Sequence, residues 1–128
     1  MKITVKQAVE AYLALEDLTK EQIKVSPGVG ICLIRLKRRL KPEMEAFAEA
    51  EQNLVEQYAE RDENGAVKWL ETGRFAISPG HAQDYLRDLA EINQAEIKLL
   101  IDPIDMRNED IRLGLASIEA LDGLVVME

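Results

Sequence analysis

Residues 26–62 read SPGVGICLIRLKRRLKPEMEAFAEAEQNLVEQYAERD, and the other segments of the chain fold against whatever this one forms. Ser26-Pro27 is a helix start, a capping hydroxyl followed by a proline in the first turn, where its missing N–H removes no helical bond. Leu33, Leu40, Phe47 and Leu54 then recur every seven residues, with Leu36 and Ala50 on intervening core positions and Met44 and Tyr58 beside them. That spacing is an apolar stripe on one face of an amphipathic helix. Unbroken, such a helix runs roughly 55 Å at 1.5 Å per residue. A compact domain of this size does not usually hold that length inside itself, so the stripe calls for a partner.

Pro42 falls inside the run. It removes one hydrogen bond and crowds the preceding turn, which predicts a kink or a break. The stripe resumes in phase at Met44 and Phe47, which favours a kinked continuous rod over two helices packed on each other. Before the proline lie Arg35, Lys37, Arg38, Arg39 and Lys41, the densest basic cluster in the chain; beyond it the polar positions turn acidic, from Glu43 to Glu60. Asn64-Gly65 is the expected stop.

Working outward, Lys2 to Val5 alternate as a short strand, and Thr4 with Gln7 forms a capping-box pair for a helix of about Val5 to Leu18. Lys20 to Val25 is a connector or a short edge strand. Past the long helix, Val67 and Trp69, then Phe75 and Ile77, alternate around Thr72-Gly73 as a β-hairpin with its large side chains on one face. A lone hairpin is marginal in water, so that face packs on the helix ends or on another chain. Ser78-Pro79 repeats the start signal and opens a return helix to about Asn93, lying antiparallel along the acidic half of the rod as far as Phe47. Ile97 to Ile101 read as a strand stopped by Asp102-Pro103, residues 108–121 as a last helix, and Leu124 to Met127 as a terminal strand. No internal repeat, low-complexity tract or linker is found. The expected fold is mostly α with minor β (α+β): a long helical hairpin with a β-hairpin at its tip and short helices and strands at both ends, in one domain over residues 1–128.

Aromatics are scarce at 5%, which favours helix packing over aromatic-rich strands. The net charge of −8 divides into about +5 over residues 1–42 and −13 over the remainder. Such asymmetry marks a nucleic-acid surface or pairing between halves of the chain. No apolar run reaches the length of a membrane span and no signal peptide is evident, so a soluble, cytoplasmic protein is expected. Cys32 has no disulfide partner, and its place near the stripe suggests a buried apolar role.

Met1 to Tyr12 (MKITVKQAVEAY), Glu56 to Gly65 (EQYAERDENG) and the Ile97 to Asp105 strand ahead of a leucine-bearing helix together resemble small phage and prophage proteins catalogued as a domain of unknown function. The likeness runs over nearly the whole chain but lies in element order and turn residues, with no catalytic motif. It implies a viral or prophage origin and a bacterial cytoplasm, and it transfers no activity and no site residues.

Chemistry finds little purchase. Gly28 and Gly30 match neither a Walker loop nor a dinucleotide fingerprint. His81, the single histidine, stands at a helix start, where a solvated or capping role is ordinary. No His/Cys pair builds a zinc site, and Glu45 with Glu49, or Glu56 with Glu60, read as solvated helix faces before they read as a magnesium site. Neither an enzyme nor a cofactor is expected. Three readings follow. The first is an interaction protein that forms a homo-oligomer, a dimer by preference, or binds a phage protein, with Leu33, Leu36, Leu40, Phe47, Leu54, Trp69 and Phe75 as candidate interface. The second is a nucleic-acid-binding accessory factor using Arg35, Lys37, Arg38, Arg39 and Lys41, against which stand the acidic whole and the lack of an interleaved aromatic. The third is a chaperone-like clamp presenting Trp69 and Phe75.

Overall fold

The computed structural model describes residues 1–127. Along the chain come β1 (Lys2–Thr4), α1 (Val5–Lys20), α2 (Pro27–Tyr58), α3 (Ala82–Gln94), β2 (Glu96–Lys98), β3 (Ile104–Asp105), α4 (Leu115–Ala120) and β4 (Val125–Val126). The fold is mostly helical with small two-stranded sheets. The long helix pairs with α1 in a hairpin-like arrangement across the Glu21–Ser26 connector, and α3 packs on it as well. The main helical neighbour of α2 is thus the helix before it rather than the return helix. No helix among the described residues is long and apolar enough to cross a membrane.

The start of α1 is held by one local and one long-range bond. The Gln7 backbone N–H donates to Thr4 Oγ1 at 3.1 Å, as the cap pattern predicts, but the Gln7 side-chain amide turns away and donates to the Asp122 carbonyl at 2.8 Å. Half of the expected capping box is therefore spent on tying α1 to the C-terminal segment. β1 pairs antiparallel with β2, Ile3 facing Ile97. β3 and β4 pair in parallel, Ile104 facing Val125.

At the start of α2, Ser26 is the N-cap residue and Pro27 stands in the first turn, but the Ser26 hydroxyl makes no bond to its own helix. Its hydroxyl and its backbone N–H both donate to the Glu109 carboxylate. This long-range contact lies within residues 107–114, where the last helix was expected to begin. That helix is confined to Leu115–Ala120, after Gly114.

Through Pro42 the helix continues without a break. Pro42 is exposed, so the Arg38 carbonyl that it leaves without a helical donor can turn to water. The helix ends at Tyr58, ahead of the expected Asp62, because residues 59–61 enter the tip.

The tip is not a regular hairpin. Isolated antiparallel bridges join Ala59 to Ile77, Arg61 to Val67 and Trp69 to Phe75. Three backbone bonds close a ring: Glu60 N–H donates to Ala76 O at 2.7 Å, Ala76 N–H to Lys68 O at 2.9 Å, and Lys68 N–H to Glu60 O at 2.9 Å. The two turns match each other at a spacing of eight residues. Gly65 N–H donates to Asp62 O and Gly73 N–H to Leu70 O, both at 3.0 Å, and the glycines have φ of 80° and 84°. Residues 62–69 and 70–77 thus repeat one turn geometry where no repeat was found in the sequence; Glu63 with Glu71, Gly65 with Gly73 and the apolar pairs Val67 with Phe75 and Trp69 with Ile77 carry it. Gly80, also at positive φ, turns the chain once more and delays α3 to Ala82, so Ser78-Pro79 is a turn and not a helix start.

One core cluster joins Ile3, Ala11 and Leu15 to Leu36 and Leu40 of α2 and to Leu99, Ile104, Met106, Leu121 and Leu124. Small residues on the buried face of α1, Ala8, Ala11 and Ala14, let its neighbours approach closely.

Candidate interaction surface

The apolar stripe of α2 is largely covered by the chain itself. Leu36, Leu40 and Leu54 are 1%, 0% and 6% exposed, while Leu33 and Phe47 are half-buried. Leu36 and Leu40 face α1 and the later segments within the core cluster, so in this conformation they have no surface to offer another molecule. Beyond Phe47, Tyr58 is buried under α3, where it meets Tyr85 edge-on at 6.1 Å and donates its hydroxyl to Asp88. Phe75 packs inward, edge-to-face on Tyr85 at 5.3 Å, whereas Trp69 is 64% exposed. The two tip aromatics are thus divided between inside and outside.

A second stripe runs down the opposite side of α2. Ile31, Arg35, Arg38, Pro42, Glu45, Glu49, Gln52 and Glu56 follow alternating steps of four and three residues, and all eight are exposed. Such steps keep side chains on one face. Before Pro42 this ridge is apolar and then basic; after it, acidic. Over the whole helix the division is complete. Arg35, Lys37, Arg38, Arg39 and Lys41 stand without a carboxylate between Pro27 and Lys41, and Glu43, Glu45, Glu49, Glu51 and Glu56 without a cation between Pro42 and Tyr58. Sequence reading noted both clusters but followed the leucines, and so missed the outer stripe that shares their period.

None of these ten charges forms an ion pair among the described residues. The pairing between halves of the chain that the charge asymmetry suggested is thus not made by the basic cluster as ion pairs among the described residues. Arg39 donates to the Leu100 carbonyl at 3.0 Å, and the Lys37 ammonium lies 5.6 Å from the centre of the Tyr12 ring, a cation–π contact. Arg35, Arg38 and Lys41 are exposed. The layout also opposes the helix's own preferences. Glu56, in the last turn, stands at the negative end of the helix dipole, which favours cations. Arg35 with Arg39, Lys37 with Lys41 and Glu45 with Glu49 are like charges four residues apart, each costing about 0.2–0.5 kcal/mol. Among the described residues no ion pair offsets them.

Apolar groups flank the basic half. Ile31 and Ile34 are 51% and 54% exposed, and a shallow cleft of about 260 Å³ lies between α2 and the 100–104 segment, lined by Cys32, Arg35, Arg39 and Leu100. Cys32 is exposed there, contrary to the buried role expected of it, because one step from Leu33 carries it about 100° around the helix.

Other titratable groups have local explanations. The Arg107 side chain and backbone N–H beside Asp105 hold its carboxyl down at about 2, and the same pair raises the Arg107 guanidinium. The hydrogen bond to Asp88, then burial, pushes the Tyr58 hydroxyl up; burial, then Glu16, does so for Tyr12. His81 is the exposed N-cap residue of α3 and makes no side-chain cap bond. Among the described residues no group of three His, Cys, Asp or Glu is placed to hold a metal, and no polar or charged side chain is buried. Glu60, paired on sequence grounds with Glu56, has left the helix and meets Lys68 at 3.2 Å. No family model, curated protein or solved structure matches the chain.

Proposed function

We propose that this chain is a non-enzymatic interaction protein that engages another protein through the exposed ridge of its long helix. The observation that carries the reading is the set of ten charges on α2, sorted by sign about Pro42 and unpaired within the described residues. A surface that keeps like charges together against its own helix energetics is suited to a partner with complementary fields. The likeness of residues 1–12, 56–65 and 97–105 to small phage and prophage proteins is the reason to set it in a bacterial cytoplasm, as a phage-derived factor. The expected interface changes accordingly: Leu36, Leu40 and Leu54 serve the core, and the outward positions take over.

Nucleic-acid binding through Arg35, Lys37, Arg38, Arg39 and Lys41 is the runner-up. The acidic run that continues the same ridge repels a phosphate backbone, and Arg39 and Lys37 already have partners in the fold. A clamp for unfolded chains is weaker still, since Phe75 is engaged with Tyr85 and leaves Trp69 alone.

A photoreactive amino acid at Arg38 or Gln52, with Glu21 on the connector as control, tests the ridge in cells. Protein adducts from the ridge positions and none from the control are expected. Ridge positions that yield no protein adduct, or crosslink only to nucleic acid, overturn the reading.

A further inference from the structure

Resting on the ridge reading, we propose that the partner is a second copy of this chain, laid antiparallel along α2 with the two-fold axis at Pro42. The helix runs from Pro27 to Tyr58, and its charge changes sign at its middle residue pair, between Lys41 and Glu43. Only one arrangement uses that symmetry. Two-fold pairing brings the same patch of both copies together, so the patch must complement itself on reversal. With the axis at Pro42, Arg35 of one ridge lies level with Glu49 of the second copy's ridge. Arg38 falls between Glu45 and Glu49 of the opposing ridge.

A parallel pair would set cations beside cations and carboxylates beside carboxylates along the full helix, a like-charge juxtaposition that excludes it. Pro42 suits the axis, where each residue meets its own copy: it is exposed, uncharged and short. Ile31 and Ile34, exposed at the basic end, give the contact apolar cover beyond its ion pairs. The ridge is not hidden by the fold, because α1 and α3 occupy the leucine side.

Since the contact is mainly ionic and solvent-accessible, it is salt-sensitive: the screening length falls from about 30 Å at 0.01 M to about 3 Å at 1 M salt. Sedimentation of the full chain is the test, with R35E/R38E and E45R/E49R as paired charge reversals whose helicity is checked by circular dichroism. The parent is expected to sediment as a dimer at low salt and to dissociate at 1 M. Each reversal alone raises the dissociation constant by about tenfold or more, and an equimolar mixture of the two restores a dimer. A parent that is monomeric at about 100 µM and low salt, a concentration at which micromolar affinity fills the complex, overturns the proposal. So do folded reversals that dimerise as well as the parent. Ridge crosslinks to a different protein, with the purified chain monomeric, overturn the second copy while leaving the ridge as an interaction surface; absence of any protein crosslink removes both.

Discussion

Leu40 and Trp69 mark the two extremes of what the chain does with a large apolar side chain. Leu40 is fully buried between α1 and the C-terminal segments, so Leu40→Ala removes its transfer energy and leaves a cavity, a loss of about 2–5 kcal/mol by urea denaturation. Trp69→Ala, at an exposed tip, should change stability by less than about 1 kcal/mol. Ionisation gives a second check. Asp105 has its carboxyl lowered from 3.8 to about 2 by Arg107, so its stabilising contribution is complete above pH 3.8 and is lost as pH falls through 2. Carbon-detected titration of that carboxyl should place its midpoint near 2, and Arg107→Gln should return it towards 3.8. Tyr58 runs the other way. Its raised hydroxyl keeps the bond to Asp88 at pH below 10, and that contribution is lost in alkali. The apolar face was legible at this level, from the seven-residue series through Leu40 and Leu54 with Leu36 between; what covers it was not, since it was assigned to a partner and the chain itself buries all three. Cys32, Glu109 and the Gln7 amide were not legible either, because a one-residue step around a helix and contacts across 83 or 115 positions leave no trace in local pattern.

Element boundaries followed local signals where nothing competed with them. The Thr4 cap and the Pro27 start stand where their chemistry places them. Ser78-Pro79 looked the same and failed, since Gly80 at φ 84° reverses the chain before helical bonding can begin. The last helix shortened because Glu109, expected within its first turn, caps Ser26 instead. Pro42 is the clearest test at this level. An exposed interior proline costs a helix about 3 kcal/mol relative to alanine, so Pro42→Ala should raise the denaturation midpoint without changing helix length. A gain in helical signal would show instead that the rod is interrupted in solution. In the tip, Gly73→Ala at φ 84° should cost about 1–2 kcal/mol and disturb the ring through Glu60, Lys68 and Ala76, read as faster amide exchange at those three residues.

For the molecule as a whole, burial and charge answer different questions. The leucine face of α2 is used up in folding, which removes the expectation that an extended apolar seam drives assembly. The charged face is left over, divided at Pro42 and matched to its own reverse. Cys32, the single cysteine, is exposed and stands ten residues from that division, so a nitroxide attached there reports on the arrangement with no further substitution. In an antiparallel pair centred on Pro42 the two labels are separated by twenty residues of helix, about 30 Å at 1.5 Å per residue. Dipolar spectroscopy at low salt should return one distance near about 30 Å that disappears at 1 M salt; a distance near about 10 Å, as for helices side by side in parallel, or no dipolar coupling at all, would contradict the antiparallel assembly.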